Sequence, residues 1–168
     1  MTADDIVVDP IALLRREHDE ALAALDRLEA GTKSLETPGA RAAIEEAVSF
    51  LDDDVRGHNE REEECLFPVL ERHLPPVGPT AVMRAEHREL WELLAGLKQA
   101  LGARPLDPRS VRMSGLAVVD LLRRHIEKEN QILFPMSQHL LSPAEMGEVG
   151  RGMAELIARR RAARAAAR

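Results

Sequence analysis

The amino-acid sequence predicts an all-α protein, an up-down-up-down four-helix bundle followed by an extra C-terminal helix. Composition is the first observation: only 2% of the residues are aromatic, none is tyrosine, and good helix formers such as Ala, Leu, Glu and Arg dominate. The second observation is that apolar residues recur at spacings of three and four along each predicted helix. The third is a set of prolines that directly follow residues suited to begin a helix.

The helix starts predict five helices, over about 10–30, 38–73, 79–101, 108–140 and 143–160. Each start pairs proline with a preceding N-cap residue or glycine, and the five pairs are Asp9-Pro10, Thr37-Pro38, Gly78-Pro79, Asp107-Pro108 and Ser142-Pro143. The loops after the first and third helices are short, so each of these helices should form an antiparallel hairpin with its successor.

A chain of 168 residues is long enough for one domain with a real core. We therefore expect a single domain over 1–168, with the bundle at about 10–141 and a frayed, Arg-rich tail after the helix at 143–160. Pro68 and Pro135 fall inside the second and fourth helices, where each removes a hydrogen bond and should kink or end the regular helix.

Charge and segment composition exclude several classes of function. A net charge of −6 gives no reason to expect a nucleic-acid partner. One cysteine excludes an intrachain disulfide and fits a reducing cytoplasm. Residues 1–6 lack the apolar run of a signal peptide, and no stretch has the length of a membrane span, so we expect a cytoplasmic protein without a membrane partner.

The chemistry is indicated by a motif that occurs twice, His-x-x-x-Glu-x-x-x-x-Phe-Pro. One copy begins at His58 and the other at His125, and a further histidine lies upstream of each copy. All four histidines fall on the apolar stripes of their helices, and a His and a Glu four residues apart project from the same helix face. The six candidate ligands are His18, His58, Glu62, His87, His125 and Glu129.

Burying an ionised carboxylate in an apolar core is unfavourable without a partner, and a pair of divalent or trivalent cations would supply one for both glutamates. Imidazole and carboxylate both suit iron. Two His for each metal, two bridging Glu and one bridging oxygen fill about five positions on each ion and leave one open for O2 or NO. We therefore predict two non-haem iron ions with an oxo or hydroxo bridge, with another divalent metal as the alternative in a purified sample. A single copy of the motif would arise by chance in any Glu-rich helix, but two matched copies are much harder to obtain.

Residues beside the ligands have two interpretations each. Glu63 and Glu86 either contact a metal or a ligand histidine, or are solvated helix surface. Trp91 either limits access to the ligand pocket or fills the core, and Met83 is a further candidate for the pocket. Cys65 is either a redox-sensitive thiol or a small buried hydrophobe. The remaining pair, His73 and His139, is predicted to lie at helix ends.

The paired motif, with Leu-Phe-Pro after each Glu, resembles the hemerythrin-like (HHE cation-binding) family over about residues 10–141. The resemblance implies a hemerythrin-like four-helix bundle with a carboxylate-bridged di-iron site, used in O2 binding, iron or oxygen sensing, or handling of NO and reactive oxygen. The motif is also similar to that of the repair-of-iron-centres proteins, which act on damaged iron–sulfur clusters.

This sequence departs from both groups. O2-carrying hemerythrins have a fifth His four residues from the ligand of the third helix, where this chain has Met83 and Trp91 around His87. They also have an Asp where this chain has Asn130. Repair-of-iron-centres proteins have an extra His between the first two ligands, but 19–57 contains none, and the Cys-bearing N-terminal segment that they often carry is absent. One fewer nitrogen ligand predicts a more open or labile site, which favours sensing, NO binding or redox chemistry over reversible O2 carriage.

The function predicted is therefore binding or sensing of a small ligand (O2, NO or reactive oxygen) at a di-iron site. One alternative is a redox enzyme, peroxidase-like or NO-handling, or an iron–sulfur cluster repair factor. No acid–base dyad, nucleophile motif or Gly-rich loop is visible, so we predict no separate catalytic residues. A ferritin-like oxidase would use Glu-x-x-His pairs, which this sequence lacks. The Arg-rich segment 159–168 could contact an acidic surface, with a solvated helix end as the simpler interpretation.

Overall fold

The computed structural model describes residues 8–75 and 77–166 of the chain. They form five helices, α1 (Pro10–Lys33), α2 (40–73), α3 (Pro79–Gly102), α4 (108–140) and α5 (Pro143–Ala166). No strand occurs among the described residues, which confirms the all-α prediction. Predictions for residues 1–6, and for 167 and 168 of the predicted tail, fall outside this part of the chain.

Helix starts with aspartate follow the sequence prediction. The Asp9 side chain accepts a hydrogen bond from the backbone N–H of Ala12, and Asp107 does the same for the second and third residues of α4. These contacts satisfy backbone donors that have no partner within the helix. These two helices, α1 and α4, also begin at the predicted prolines.

The predicted start at Thr37-Pro38 is wrong by two residues. The first helical residue of α2 is Ala40, and Gly39 before it has φ of 84°, a left-handed conformation that favours glycine. The Thr37 hydroxyl donates to the carbonyl of Ser34 at 2.7 Å and so belongs to the preceding turn instead of capping the helix.

Wider π turns replace regular helix just before both Phe-Pro pairs. They span Glu62–Leu66 and Glu129–Leu133, and each closes with a backbone hydrogen bond from the Phe N–H to the carbonyl of the glutamate five residues earlier. Proline lacks an N–H and its ring clashes with the carbonyl four residues earlier, so we attribute the widening to Pro68 and Pro135. A third π turn, Leu51–Val55, was not predicted.

Helices α1 and α2 form one antiparallel hairpin and α3 and α4 the other, with α1 also packed against α4. The core consists of two apolar clusters, and the ligand histidines lie between them along each helix. The upper cluster contains Leu25, Leu28, Leu51, Leu94 and Leu122, among others. The lower cluster contains Leu14, Leu66, Phe67, Met83, Leu133 and Phe134, among others.

Helix α5 is more than an appendage, because Val149, Met153 and Leu156 are buried in the lower cluster. Helix α5 continues to Ala166, past the predicted helix end at about residue 160. Arg160 holds it there by donating to Glu60 at 2.6 Å and to the carbonyl of Asp53 at 2.7 Å. None of the described helices combines the length and the apolar character that crossing a bilayer requires.

Candidate metal centre

All six predicted ligands are buried and converge at the level between the two apolar clusters. None is more than 4% exposed, and Glu62 and Glu129 are 0% exposed. Their donor atoms form two groups in which all atoms lie within 4.8 Å of one another. We call the group His18, His58, Glu62 and Glu129 the first metal position. The second metal position consists of Glu62, His87, His125 and Glu129. The two glutamates belong to both.

The Nε2 atoms of the histidines face one another across the core. Those of His18 and His58 are 3.1 Å apart, and those of His87 and His125 are 3.2 Å apart. Each Nε2 also lies 3.1–3.5 Å from a carboxylate oxygen of a shared glutamate. In spite of these distances, no oxygen of Glu62 or Glu129 accepts a hydrogen bond of acceptable geometry.

The opposite ring nitrogen of every ligand histidine contacts an acceptor on another helix. The Nδ1 atom of His58 lies 2.9 Å from Glu17, and that of His125 lies 2.9 Å from Glu86. For His87 the partner is Glu63, at 2.6 Å.

His18 is the exception among the four, because its Nδ1 lies 3.1 Å from the amide oxygen of Asn130, a neutral acceptor. In all four rings the proton therefore belongs on Nδ1, and in a neutral ring the Nε2 lone pair then points into the core. Four lone pairs and two carboxylates facing one another need cations or protons between them.

The surroundings of the ligands are duplicated as closely as the ligands themselves. Arg15 and Arg84, three residues before His18 and His87, lie over the rings of Phe134 and Phe67. Those phenylalanine rings in turn stack on the two histidines, at interplanar angles of 15° and 14°.

The second oxygens of Glu17 and Glu86 are bound by Arg61 and Lys128, each three residues after a ligand histidine. The two hairpins thus build two similar halves of one site, which differ in the Nδ1 partner of His18 and His87.

The buried histidines and carboxylates shift one another's pKa values. Burial alone would lower the pKa of His58, but the charge of Glu62 and the contact with Glu17 raise it to about 10. For His125 burial likewise opposes the neighbouring charge of Glu129, and the pKa rises to about 9. The pKa of Glu62 falls well below its usual value, because the histidines outweigh the effect of burial.

The donor set fits a pair of cations. Two fully buried carboxylates without a hydrogen-bonded partner are strongly unfavourable in an apolar core unless positive charge is bound there. Imidazole nitrogens with carboxylate oxygens are ligands that suit iron and related transition metals. The partners on Nδ1 fix the orientation of each ring, as is usual for ligand histidines.

Some of the residues predicted to lie beside the candidate ligands contact them, and others do not. Glu63 and Glu86 contact ligand histidines, as one of their two interpretations required. Sequence reasoning missed Glu17 and Asn130, although the repeated Glu-His dipeptide at 17–18 and 86–87 was a usable signal. Met83 is buried in the lower cluster together with Phe67.

Three further residues lie away from the metal positions. Trp91 packs on the upper cluster beneath Arg56, whose guanidinium is 4.1 Å from its ring centroid, and it does not line the cavity described below. His73 and His139 are exposed towards helix ends.

One cavity reaches the metal centre from the surface near the start of α1 and the end of α5. Its volume is about 620 Å³, and at its inner end lie His18, His58 and His125 together with Asn59, Leu122 and Ile126. Asn59 is 4% exposed, and neither polar atom of its amide has a hydrogen-bond partner. The outer part is lined by arginines of α1, α2 and α5 and by acidic residues at and near α1 and in α2.

Comparison with known proteins gives two results. A family model described as the hemerythrin HHE cation binding domain matches residues 9–137. Curated proteins named iron-sulfur cluster repair protein YtfE are similar over 106 residues, with 30% identity for Cronobacter sakazakii and 29% for Escherichia coli O81. The match covers 58% of this chain and 48% of each relative, so the chain spans about half the length of the curated relatives it matches.

Proposed function

Because the chain belongs to the hemerythrin HHE cation-binding family, we propose that it holds two iron ions and binds a small ligand such as O2, NO or peroxide at them. The observation that carries this proposal is the pair of overlapping four-residue groups that share two buried carboxylates without hydrogen-bonded partners. Each ion would take two histidine Nε2 atoms, and Glu62 and Glu129 would serve both ions.

Iron bound there supplies a redox-active centre able to accept O2, NO or peroxide as a further ligand. The chain supplies everything around it. Glu17, Glu63, Glu86 and Asn130 hold the four imidazole rings in place through Nδ1. The two apolar clusters exclude water above and below the site, and the 620 Å³ cavity provides a route for a ligand to the His18, His58 and His125 side.

Reconstitution of the whole chain with ferrous iron under anaerobic conditions tests the proposal. We expect about two iron ions per chain, and near-ultraviolet absorption on exposure to O2 that changes with NO or peroxide. His58→Ala and His125→Ala should each lose at least one of the two ions together with this absorption, whereas His73→Ala, which replaces an exposed histidine, serves as the matched control. Fewer than one iron per chain in folded wild-type protein contradicts the proposal.

A second candidate is repair of iron–sulfur clusters, which is supported by the printed name of the similar proteins. The test incubates iron-loaded chain with an oxidatively damaged cluster-dependent dehydratase and follows recovery of its activity. Recovery with the iron-loaded wild type, but not with the His125→Ala variant treated with iron in the same way or with free ferrous iron, would favour repair over ligand binding alone. Steady turnover of peroxide or NO would instead favour a redox enzyme.

A further inference from the structure

We propose that the two metal positions are unequal, and that the first position, which contains His18, binds its ion more weakly because Asn130 stands where the other half has a carboxylate. This inference rests on the proposed function, since it concerns how the same six ligands hold two ions. It predicts a protein whose two ions differ in affinity and in which the ion beside His18 leaves first.

Asn130 and Glu63 occupy equivalent positions, because each directly follows a shared glutamate. Each also contacts the Nδ1 atom of a histidine on the first helix of the other hairpin, His18 for Asn130 and His87 for Glu63. Arg15 donates to the backbone carbonyl of Asn130 at 3.3 Å, and Arg84 donates to that of Glu63 at 3.4 Å. The two positions thus have the same neighbours and differ in charge.

The other ring partners carry the same charge in both halves. Glu17 and Glu86 are each held by a cation, Arg61 or Lys128, and their side chains are 19% and 16% exposed. Glu62 and Glu129 contribute to both positions. Among the groups that contact the histidine Nδ1 atoms, the two halves therefore differ in charge only at Asn130, which is neutral, and Glu63, which is a carboxylate.

A carboxylate on Nδ1–H makes an imidazole a stronger donor to a metal than a neutral acceptor does. The contact distances agree with this difference: 2.6 Å from His87 to the carboxylate, and 3.1 Å from His18 to the amide. Loss of such an outer partner typically lowers metal affinity by about 10- to 100-fold. The Glu63 side chain is 38% exposed, and solvent screening places the expected difference near the lower end, at about tenfold.

Stepwise zinc titration of the metal-free chain, with a competing chelator, tests the inference with a redox-inert ion. Two ions that share carboxylates repel each other, so unequal constants alone prove nothing. The decisive result is which half fills first. We expect His87→Ala to abolish the tighter constant and His18→Ala to leave that constant within about twofold while removing the weaker one.

Two isosteric variants complete the test. Asn130→Asp should tighten the weaker constant by about tenfold and leave the tighter one unchanged, whereas Glu63→Gln should weaken the tighter constant by about the same factor. A gain in affinity cannot arise from a damaged fold, and Glu63→Gln carries the test if Asn130→Asp does not fold. The inference is overturned if His18→Ala and His87→Ala weaken binding of the tighter ion equally. It is also overturned if neither isosteric variant changes a binding constant. Absence of any zinc or iron binding by the wild type overturns the proposed function as well.

Discussion

Replacement of Gly115 by alanine should destabilise the bundle at a tight contact between α4 and α1. A Cβ atom on Gly115 would lie 2.4 Å from Cγ2 of Thr32 and 3.8 Å from Leu28. Contacts between carbon atoms below 3 Å cannot be tolerated, so either the Thr32 side chain or the two helices must move. Thr32 is 1% exposed, and its hydroxyl donates to the carbonyl of Glu29 at 2.8 Å, which fixes its rotamer.

The magnitude follows from three contributions. Overpacking of a buried contact costs about 1–3 kcal/mol. Rotation of Thr32 away from the new methyl group would give up its hydrogen bond, about 1 kcal/mol. Alanine gains about 1 kcal/mol over glycine in a helix interior. We therefore expect Gly115→Ala to lower the free energy of unfolding by about 1–3 kcal/mol.

Urea unfolding followed by circular dichroism measures this change, and two further variants isolate its cause. Gly96→Ala, in a helix with nothing within 4 Å of the new Cβ, should be stabilising by up to about 1 kcal/mol. Thr32→Ser removes the clashing methyl group but keeps the hydroxyl, so Gly115→Ala should cost less in that background than in the wild type. Strictly additive effects of the two substitutions, or a Gly115→Ala variant as stable as Gly96→Ala, would refute the steric explanation.

Three other outcomes are expected. Glu62→Ala removes a ligand from both metal positions and should bring iron below one per chain, while His18→Ala should retain about one, as metal analysis of the purified variants would show. Burial raises the pKa of Cys65 to about 11, so a thiol reagent at pH 8 should label the folded chain at least about tenfold more slowly than the unfolded chain; equal rates would contradict the buried placement. Hydrogen bonds from Ser142 lower the pKa of Glu145 from 4.5 to about 2, so its stabilisation is complete above pH 4.5 and is lost as the pH falls through 2. The melting temperatures of wild type and Glu145→Gln should then differ at pH 6 and converge near pH 2.

Sequence reasoning succeeded where the controlling chemistry is local. Asp9 and Asp107 begin helices because a carboxylate beside a proline caps the next turn whatever the rest of the fold does. Thr37 beside Pro38 carried the same signal, but its hydroxyl had a competing partner in the preceding turn. A short polar side chain can cap a helix or close a turn, and only the folded loop decides between them.

The six candidate ligands could be proposed from the sequence because each lies on an apolar stripe at helical spacing, where a histidine or glutamate is conspicuous. Their supporting residues could not be assigned in the same way. Glu17 and Asn130 are adjacent in sequence to the ligands His18 and Glu129, yet each contacts a histidine of a different helix. Which neighbouring helix a flanking residue meets depends on the packing of the hairpins, and that is not encoded in local spacing.

The sharing of Glu62 and Glu129 between the two halves has a mechanical consequence. Each metal position takes one carboxylate from each hairpin, so neither hairpin could hold an ion by itself with the same ligands. An ion bound there would act as a crosslink between α1–α2 and α3–α4, much as a disulfide ties two segments together. Pulling the hairpins apart and releasing the ions would then be a single event, and the loaded chain should resist mechanical extension far longer than the metal-free chain.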